Sequence, residues 1–258
     1  MLLTYDDDGP GPVVVLLHGF PLDRTIWHAQ RTSIGAIYRV IAPDLRGFGH
    51  TAAPASGYTM DAMAGDVVEL LDALQITEPI VLGGLSMGGY VALALMARHP
   101  ERVRALMLMD TRATADMPEV AQNREALARQ VEASGRAKPV VESMLPKLFS
   151  ETTRLRRSEL IPPVHAAMER VSTRAIVGSL RGMAARPDRT AELARITVPT
   201  LVLVGADDVI TPPDEVRKLA EALPNAQLAI IPDAGHLAPL ENPGAANDAI
   251  LKFLNGLP

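Results

Sequence analysis

Ser86 stands in the stretch Gly83-Gly84-Leu85-Ser86-Met87-Gly88-Gly89, where four glycines crowd around one hydroxyl. A glycine fixed in a strand or helix interior costs about 0.5–1 kcal/mol relative to alanine, because the unfolded chain has so much freedom to lose. So dense a cluster needs a local reason. The apolar run Ile80-Val81-Leu82 precedes it, and a helix-forming stretch from Met87 to about Arg98 follows. A G-x-S-x-G pattern between strand and helix suits a very tight, strained turn that projects a serine from its apex. Side chains at 84 and 88 would clash as the two backbones close together, and Gly83 and Gly89 relieve the crowding further. A serine so exposed is placed to attack a carbonyl carbon. The helix behind it offers unpaired N–H groups, that of Met87 first, and the positive end of its dipole to a developing oxyanion. The competing reading, a glycine-rich turn that cradles phosphate, lacks the lysine such a loop uses.

The elements that must carry this turn are legible around it. Short apolar runs recur at Val13–His18, Tyr38–Pro43, Ile80–Gly84, Ala105–Asp110, Thr200–Gly205 and Leu228–Asp233, each bounded by Gly, Pro or Asp. They are continuously apolar rather than alternating, as strands buried on both faces of a parallel sheet are. Helical stretches lie between several of them. Met63, Val67, Leu70, Leu71 and Leu74 share one helix face, and Asn242-Pro243 supplies an N-cap and first helical residue near the end. The alternation predicts a doubly wound α/β sheet. It breaks between Asp116 and Pro187, where only helix-forming sequence cut by Pro118, Pro139, Pro146, Pro162 and Pro163 is found. The expected organisation is a core of residues 1–115 and 188–258 with a helical insertion over 116–187.

Bulk composition narrows the function classes. The chain has 258 residues, 48% hydrophobic and 21% charged, as a globular protein does. A net charge of −5 argues against a nucleic-acid partner. With no cysteine, disulfides, thiolate metal sites and cysteine nucleophiles are excluded, and the six histidines show no ligand-pair spacing, so neither metal nor cofactor is expected. The start, MLLTYDDDGPGP, is acidic and breaks into a turn, without the pattern of a secretory signal. No apolar run is long enough to span a bilayer, and a cytoplasmic protein with no membrane partner is the expectation.

Three further stretches sharpen the serine reading: LLHGFPLDRTIW after the first long strand, VGADDVITPP after the TLVLV strand and DAGHLAPLENP after the last strand. With the DLRGFG loop of Asp44–Gly49 and the serine turn, the sequence resembles the α/β-hydrolase family along nearly its whole length. The resemblance implies that family's fold, a mostly parallel sheet with the helical insertion as a cap over the site. It also implies that Ser86 is the nucleophile, His236 the general base and Asp208 the acid, with neighbouring Asp207 as the alternative. The chain order Ser, Asp, His is the one this fold uses. The second oxyanion donor, beside Met87, is then the N–H of Phe20, and His18 supports that loop rather than acting as base. His28, His50, His99 and His165 read as surface or packing residues, His165 being the one in the cap that could touch substrate.

The chemistry so implied is hydrolysis of a carboxylic ester through an acyl-enzyme. Relatives that open epoxides or displace halide carry an aspartate at the turn, where this chain has Ser86. Lactonase, ring-cleavage and perhydrolase branches share the SMGG turn. The ring-cleavage branch carries an asparagine where Leu85 stands, so an enol-lactone hydrolase is the nearest alternative. A small-molecule receptor on the same fold is the alternative of a different class. Met117, Met144, Leu148, Phe149, Met168 and Met183 are candidate pocket walls for a small to medium, largely apolar substrate. Oligomeric state is not legible.

Overall fold

A computed structural model describes residues 1–258. Seven strands form one sheet: β1 (Tyr5–Asp8), β2 (Val13–Leu17), β3 (Arg39–Pro43), β4 (Ile80–Leu85), β5 (Val103–Met109), β6 (Thr200–Gly205) and β7 (Ala226–Ile231), in the order β1-β3-β2-β4-β5-β6-β7. All neighbours are parallel except β1, which runs antiparallel to β3 with Tyr5 opposite Pro43 and Asp8 opposite Val40. β4 and β6 are buried at every residue, and β5 at all but one, which explains why these runs read as unbroken apolar sequence.

The acidic start is a strand and not only a turn. Tyr-Asp-Asp-Asp has poor strand propensity, and what fixes it lies far along the chain. Arg31 pairs with Asp6 and Asp8, Arg39 makes a two-bond fork to Asp7, and Arg24 meets Asp6 at 3.1 Å. Tertiary partners override local preference here.

Eleven α-helices surround the sheet: α1 (His28–Ile34), α2 (Met60–Ala73), α3 (Met87–Arg98), α4 (Pro118–Ser134), α5 (Lys138–Leu148), α6 (Glu151–Arg156), α7 (Ile161–Arg170), α8 (Thr173–Ala184), α9 (Pro213–Glu221), α10 (Ala238–Glu241) and α11 (Pro243–Asn255). α2 buries Met63, Val67, Leu70 and Leu71 on one face and opens on Thr59, whose hydroxyl accepts from the Ala62 N–H. α11 opens on Asn242, whose side chain accepts from the Ala245 N–H at 3.2 Å. α3, behind Ser86, is buried from Met87 through Met96, and its glycines let it lie close against the sheet. No helix is long and apolar enough to cross a membrane.

Between β5 and β6 the chain makes an excursion of five helices, α4 to α8, without a strand. Its two ends are pinned together by charge. The side chain of Asp116, at the start, is shielded from solvent and bonded by Arg124 at 2.6 Å and by Arg186, at the far end, at 2.7 Å. Burial pushes the Asp116 carboxyl up, but the two guanidinium groups outweigh it and hold its pKa below the usual range. Arg186 also donates to the Thr114 and Met183 carbonyls and lies 4.0 Å from the centre of the Tyr90 ring.

Candidate active site

Ser86 sits between β4 and α3 with φ 51° and ψ −114°, a left-handed conformation that costs a non-glycine residue on the order of 1–3 kcal/mol. The surroundings hold it there. Its N–H donates to the Met109 carbonyl at 2.9 Å, while its own carbonyl accepts from Gly89 N–H and from the Thr111 hydroxyl. A side chain on Gly84 would place Cβ 2.3 Å from the Gly88 carbonyl oxygen, and one on Gly88 would stand 2.3 Å from that of Leu17. The first clash is between the strand and the helix on either side of the serine, as the pattern implies. The second is with β2, so Gly88 is required by the neighbouring strand as well as by the turn.

The Ser86 hydroxyl donates to His236 Nε2 at 2.8 Å, and the opposite nitrogen, Nδ1, donates to Asp208 Oδ2 at 2.8 Å. Of the two adjacent aspartates it is Asp208, buried, that meets the imidazole, whereas Asp207 faces solvent. Asp208 Oδ1 accepts from the N–H groups of Ile210 (2.7 Å) and Thr211 (3.0 Å), and Oδ2 also accepts from the Thr211 hydroxyl. Burial raises the Asp208 pKa, but the nearby imidazole and the Thr211 bonds outweigh it, and the carboxyl lies below its usual range. An ionised, acceptor-only carboxylate fixes the proton on Nδ1 and leaves Nε2 free to accept. Thr211 escapes a sequence reading; its position three residues after Asp208, in an Asp-x-x-Thr turn, is the available signal.

Met87 begins α3, so its N–H is among the first four, which have no partner within the helix. Phe20 follows Gly19, and a Cβ on Gly19 would lie 3.3 Å from that of Ser86, which puts this loop against the serine. His18 braces the loop from behind. The Leu45 N–H donates to its Nε2 at 2.9 Å, so the proton sits on Nδ1 and is donated to the Gly19 carbonyl, also at 2.9 Å. Full burial holds the His18 pKa below the usual histidine value, consistent with a neutral prop.

The remaining expectations divide. His28 and His50 are exposed, and His165 is half-exposed and faces Glu169 on its own helix. Leu148, Phe149, Met168 and Met183 are buried in the hydrophobic core and Met144 packs against it, while Met117 is 71% exposed. Two surface grooves of about 600 and 530 Å³ are lined by Tyr58, Arg174 and Arg181 and by Asp61, Arg98 and Arg195; neither borders Ser86. No group of three His, Asp or Glu side chains is placed to hold a metal ion.

A serine hydroxyl aligned on an imidazole that is itself oriented by a buried carboxylate can be deprotonated as it attacks an electrophilic carbon. Known proteins carry the same fold. The chain is 34% identical over 256 residues to a putative non-heme bromoperoxidase, BpoC, from Mycobacterium tuberculosis, covering 97% of each. It matches a thermophilic esterase from Thermogutta terrifontis, in a malate-bound structure, with a TM-score of 0.96 and 43% identity over 99% of this chain and 93% of that one. An enol-lactonase from Burkholderia xenovorans matches with a TM-score of 0.90 and 30% identity, covering 98% and 96% of the two chains. The α/β hydrolase fold family matches residues 12–243. With that match spanning most of its length, and with relatives aligned along nearly all of it, the chain belongs to the α/β hydrolase family.

Proposed function

We propose that this α/β hydrolase cleaves carboxylic esters of small to medium, largely apolar substrates, with Ser86 as nucleophile, His236 as base and Asp208 as its orienting acid. The observation that carries the reading is the unbroken chain of two 2.8 Å hydrogen bonds from Ser86 Oγ through His236 to Asp208. His236 Nε2 takes the hydroxyl proton as Ser86 Oγ bonds to the carbonyl carbon. The carbonyl π pair moves onto oxygen, toward the Met87 and Phe20 N–H groups. Loss of one such donor costs about 3 kcal/mol of transition-state stabilisation. When the intermediate collapses, the C–O bond to the alcohol breaks, and His236 gives the departing oxygen its proton. Water, deprotonated by the same imidazole, attacks the acyl-enzyme and releases the acid and the free serine.

The similarity to an enol-lactonase favours a second reading on the same atoms, in which the ester is cyclic and the leaving oxygen stays tethered to the acyl group. The relative named as a non-heme bromoperoxidase suggests a variant of the second half-reaction, in which hydrogen peroxide replaces water and a peracid is released. Both proceed through an acylated Ser86.

The test is hydrolysis of p-nitrophenyl acetate, butyrate and octanoate by the native chain and by Ser86→Ala. Turnover by the native chain alone, fastest on the shorter esters, supports the reading. Equal rates for both proteins refute Ser86 as nucleophile. No turnover by either moves the assay to lactones, and failure there as well leaves a receptor-like binding role on this fold.

A further inference from the structure

Every backbone N–H from Gly235 to Leu237, around His236, is bonded, and most of those bonds converge on one buried side chain. Glu241, 1% exposed at the end of α10, accepts from the Gly235 N–H at 2.8 Å and from the Leu237 N–H at 3.2 Å, both through Oε1. These amides flank His236 on either side. The His236 N–H itself donates to the Leu148 carbonyl at 3.1 Å, in the excursion. The second Glu241 oxygen accepts from the Ser150 N–H at 2.8 Å, two residues beyond Leu148. A glutamate this deeply buried is rare unless it is fully partnered, and here three amides partner it.

The packing around these bonds is close. A side chain on Gly235 would place Cβ 2.7 Å from the Ser150 nitrogen and 3.2 Å from Glu241 Oε1. Ser150 also donates its hydroxyl to the Asp233 carbonyl at 3.3 Å, and Asp233 is held at φ 55°. Arg157, from the excursion, donates to the backbone carbonyl of Glu241. The excursion thus meets the sheet domain at the histidine loop through directed bonds.

We infer that Glu241 is a positioning residue for His236: by gripping the amides on both sides of the imidazole and the Ser150 amide of the excursion, it sets the reach of Nε2 to Ser86 and ties that reach to the seating of the helical excursion. The inference rests on His236 serving as the base. An imidazole displaced by about 1 Å costs on the order of 100-fold in rate.

The experiment reads the set with two probes that do not require ester turnover. One is the rate at which a fluorophosphonate labels Ser86. The other is the ring ¹H–¹³C correlation of His236, assigned with His236→Gln. Glu241→Ala is expected to lower the labelling rate and kcat about 100-fold with KM nearly unchanged, and to shift and broaden the His236 ring signal. Glu241→Gln keeps one acceptor oxygen for the flanking amides and sets an NH₂ against the Ser150 N–H. It should lose about 10-fold. Beyond what Ser150→Ala removes, Ser150→Pro deletes the amide donor to Glu241 and sets the ring Cδ where that N–H pointed at Oε2, so the carboxylate must move away. Ser150 already has φ −60°, and Phe149 before it is extended, so the ring fits the backbone. The proline variant should show the ring-signal change and the alanine variant much less of it.

If Glu241→Ala does not fold, Glu241→Gln and the Ser150 pair decide. The inference is overturned if folded Glu241→Gln and Ser150→Pro both label within twofold of wild type and superimpose on its His236 signal. A wild-type chain that hydrolyses no ester, but whose His236 signal moves in these variants, upholds the positioning role and sinks the ester reading.

Discussion

The serine and histidine halves of the site are held by opposite means. Around Ser86 the hold is steric: atoms that are absent from Gly84 and Gly88 let β4, α3 and β2 approach to distances no side chain would permit. Around His236 the hold is polar, through the Asp208 carboxylate on the ring and the Glu241 carboxylate on the flanking backbone. A steric hold tolerates no enlargement, and its glycines are written within a few residues of sequence even where the atom they make room for, such as the Leu17 carbonyl, is not. A polar hold depends on residues far along the chain, such as Ser150, which is 91 positions from Glu241. The first should fail abruptly on substitution and the second by degrees.

The largest break on the polar side is at the ring itself. Asp208→Asn turns an amide N–H toward Nδ1, favours the wrong tautomer and should lower kcat about 10⁴-fold while the protein stays folded. Stopped assays alongside circular dichroism check both halves of that statement. On the steric side, Gly88→Ala drives Cβ onto the Leu17 carbonyl and should cost about 3 kcal/mol or more of stability, read as the urea midpoint of unfolding. Activity and fold should vanish together there, unlike at Asp208.

Gly235 tests the boundary between the two modes, because its crowding comes from the excursion. Gly235→Ala should keep the fold and lose about 100-fold in kcat as the histidine loop shifts away from Ser150.

Acid titration separates a third support, His18. Burial holds its pKa below the unfolded value, so the unfolded chain takes up the proton more readily than the folded one. Stability from this group is therefore full above the ordinary histidine value of about 6.5 and falls as the pH drops below it. The thermal midpoint should decline over that window with a steeper slope in wild type than in His18→Asn.

The smallest effect calibrates the glycine argument. Gly65 lies inside α2 with nothing within 4 Å of its Cβ position, so Gly65→Ala should stabilise the protein by about 0.5–1 kcal/mol without changing kcat.

The same contrast decides what was legible in the sequence. The serine turn could be read because its glycines, its strand and its helix are adjacent in the chain. The parallel strands could be read because burial on both faces leaves an unbroken apolar run. β1 could not be read as a strand, since Tyr5–Asp8 depends on arginines at 24, 31 and 39 to neutralise it. Glu241 looked like one more acid in DAGHLAPLENP. The signal that it is buried, a carboxylate directly after the apolar run Leu237–Leu240, gains meaning only once the Ser150 amide is known to face it. The excursion's methionines offered no such discrimination, because a core and a pocket wall ask for the same residue types.

The most direct measurement is the intact mass and peptide map of the chain after reaction with a fluorophosphonate. One adduct is expected, on Ser86, absent from Ser86→Ala and slowed in Asp208→Asn. An adduct on any other residue, or none on a folded chain that still hydrolyses p-nitrophenyl butyrate, would contradict Ser86 as the nucleophile.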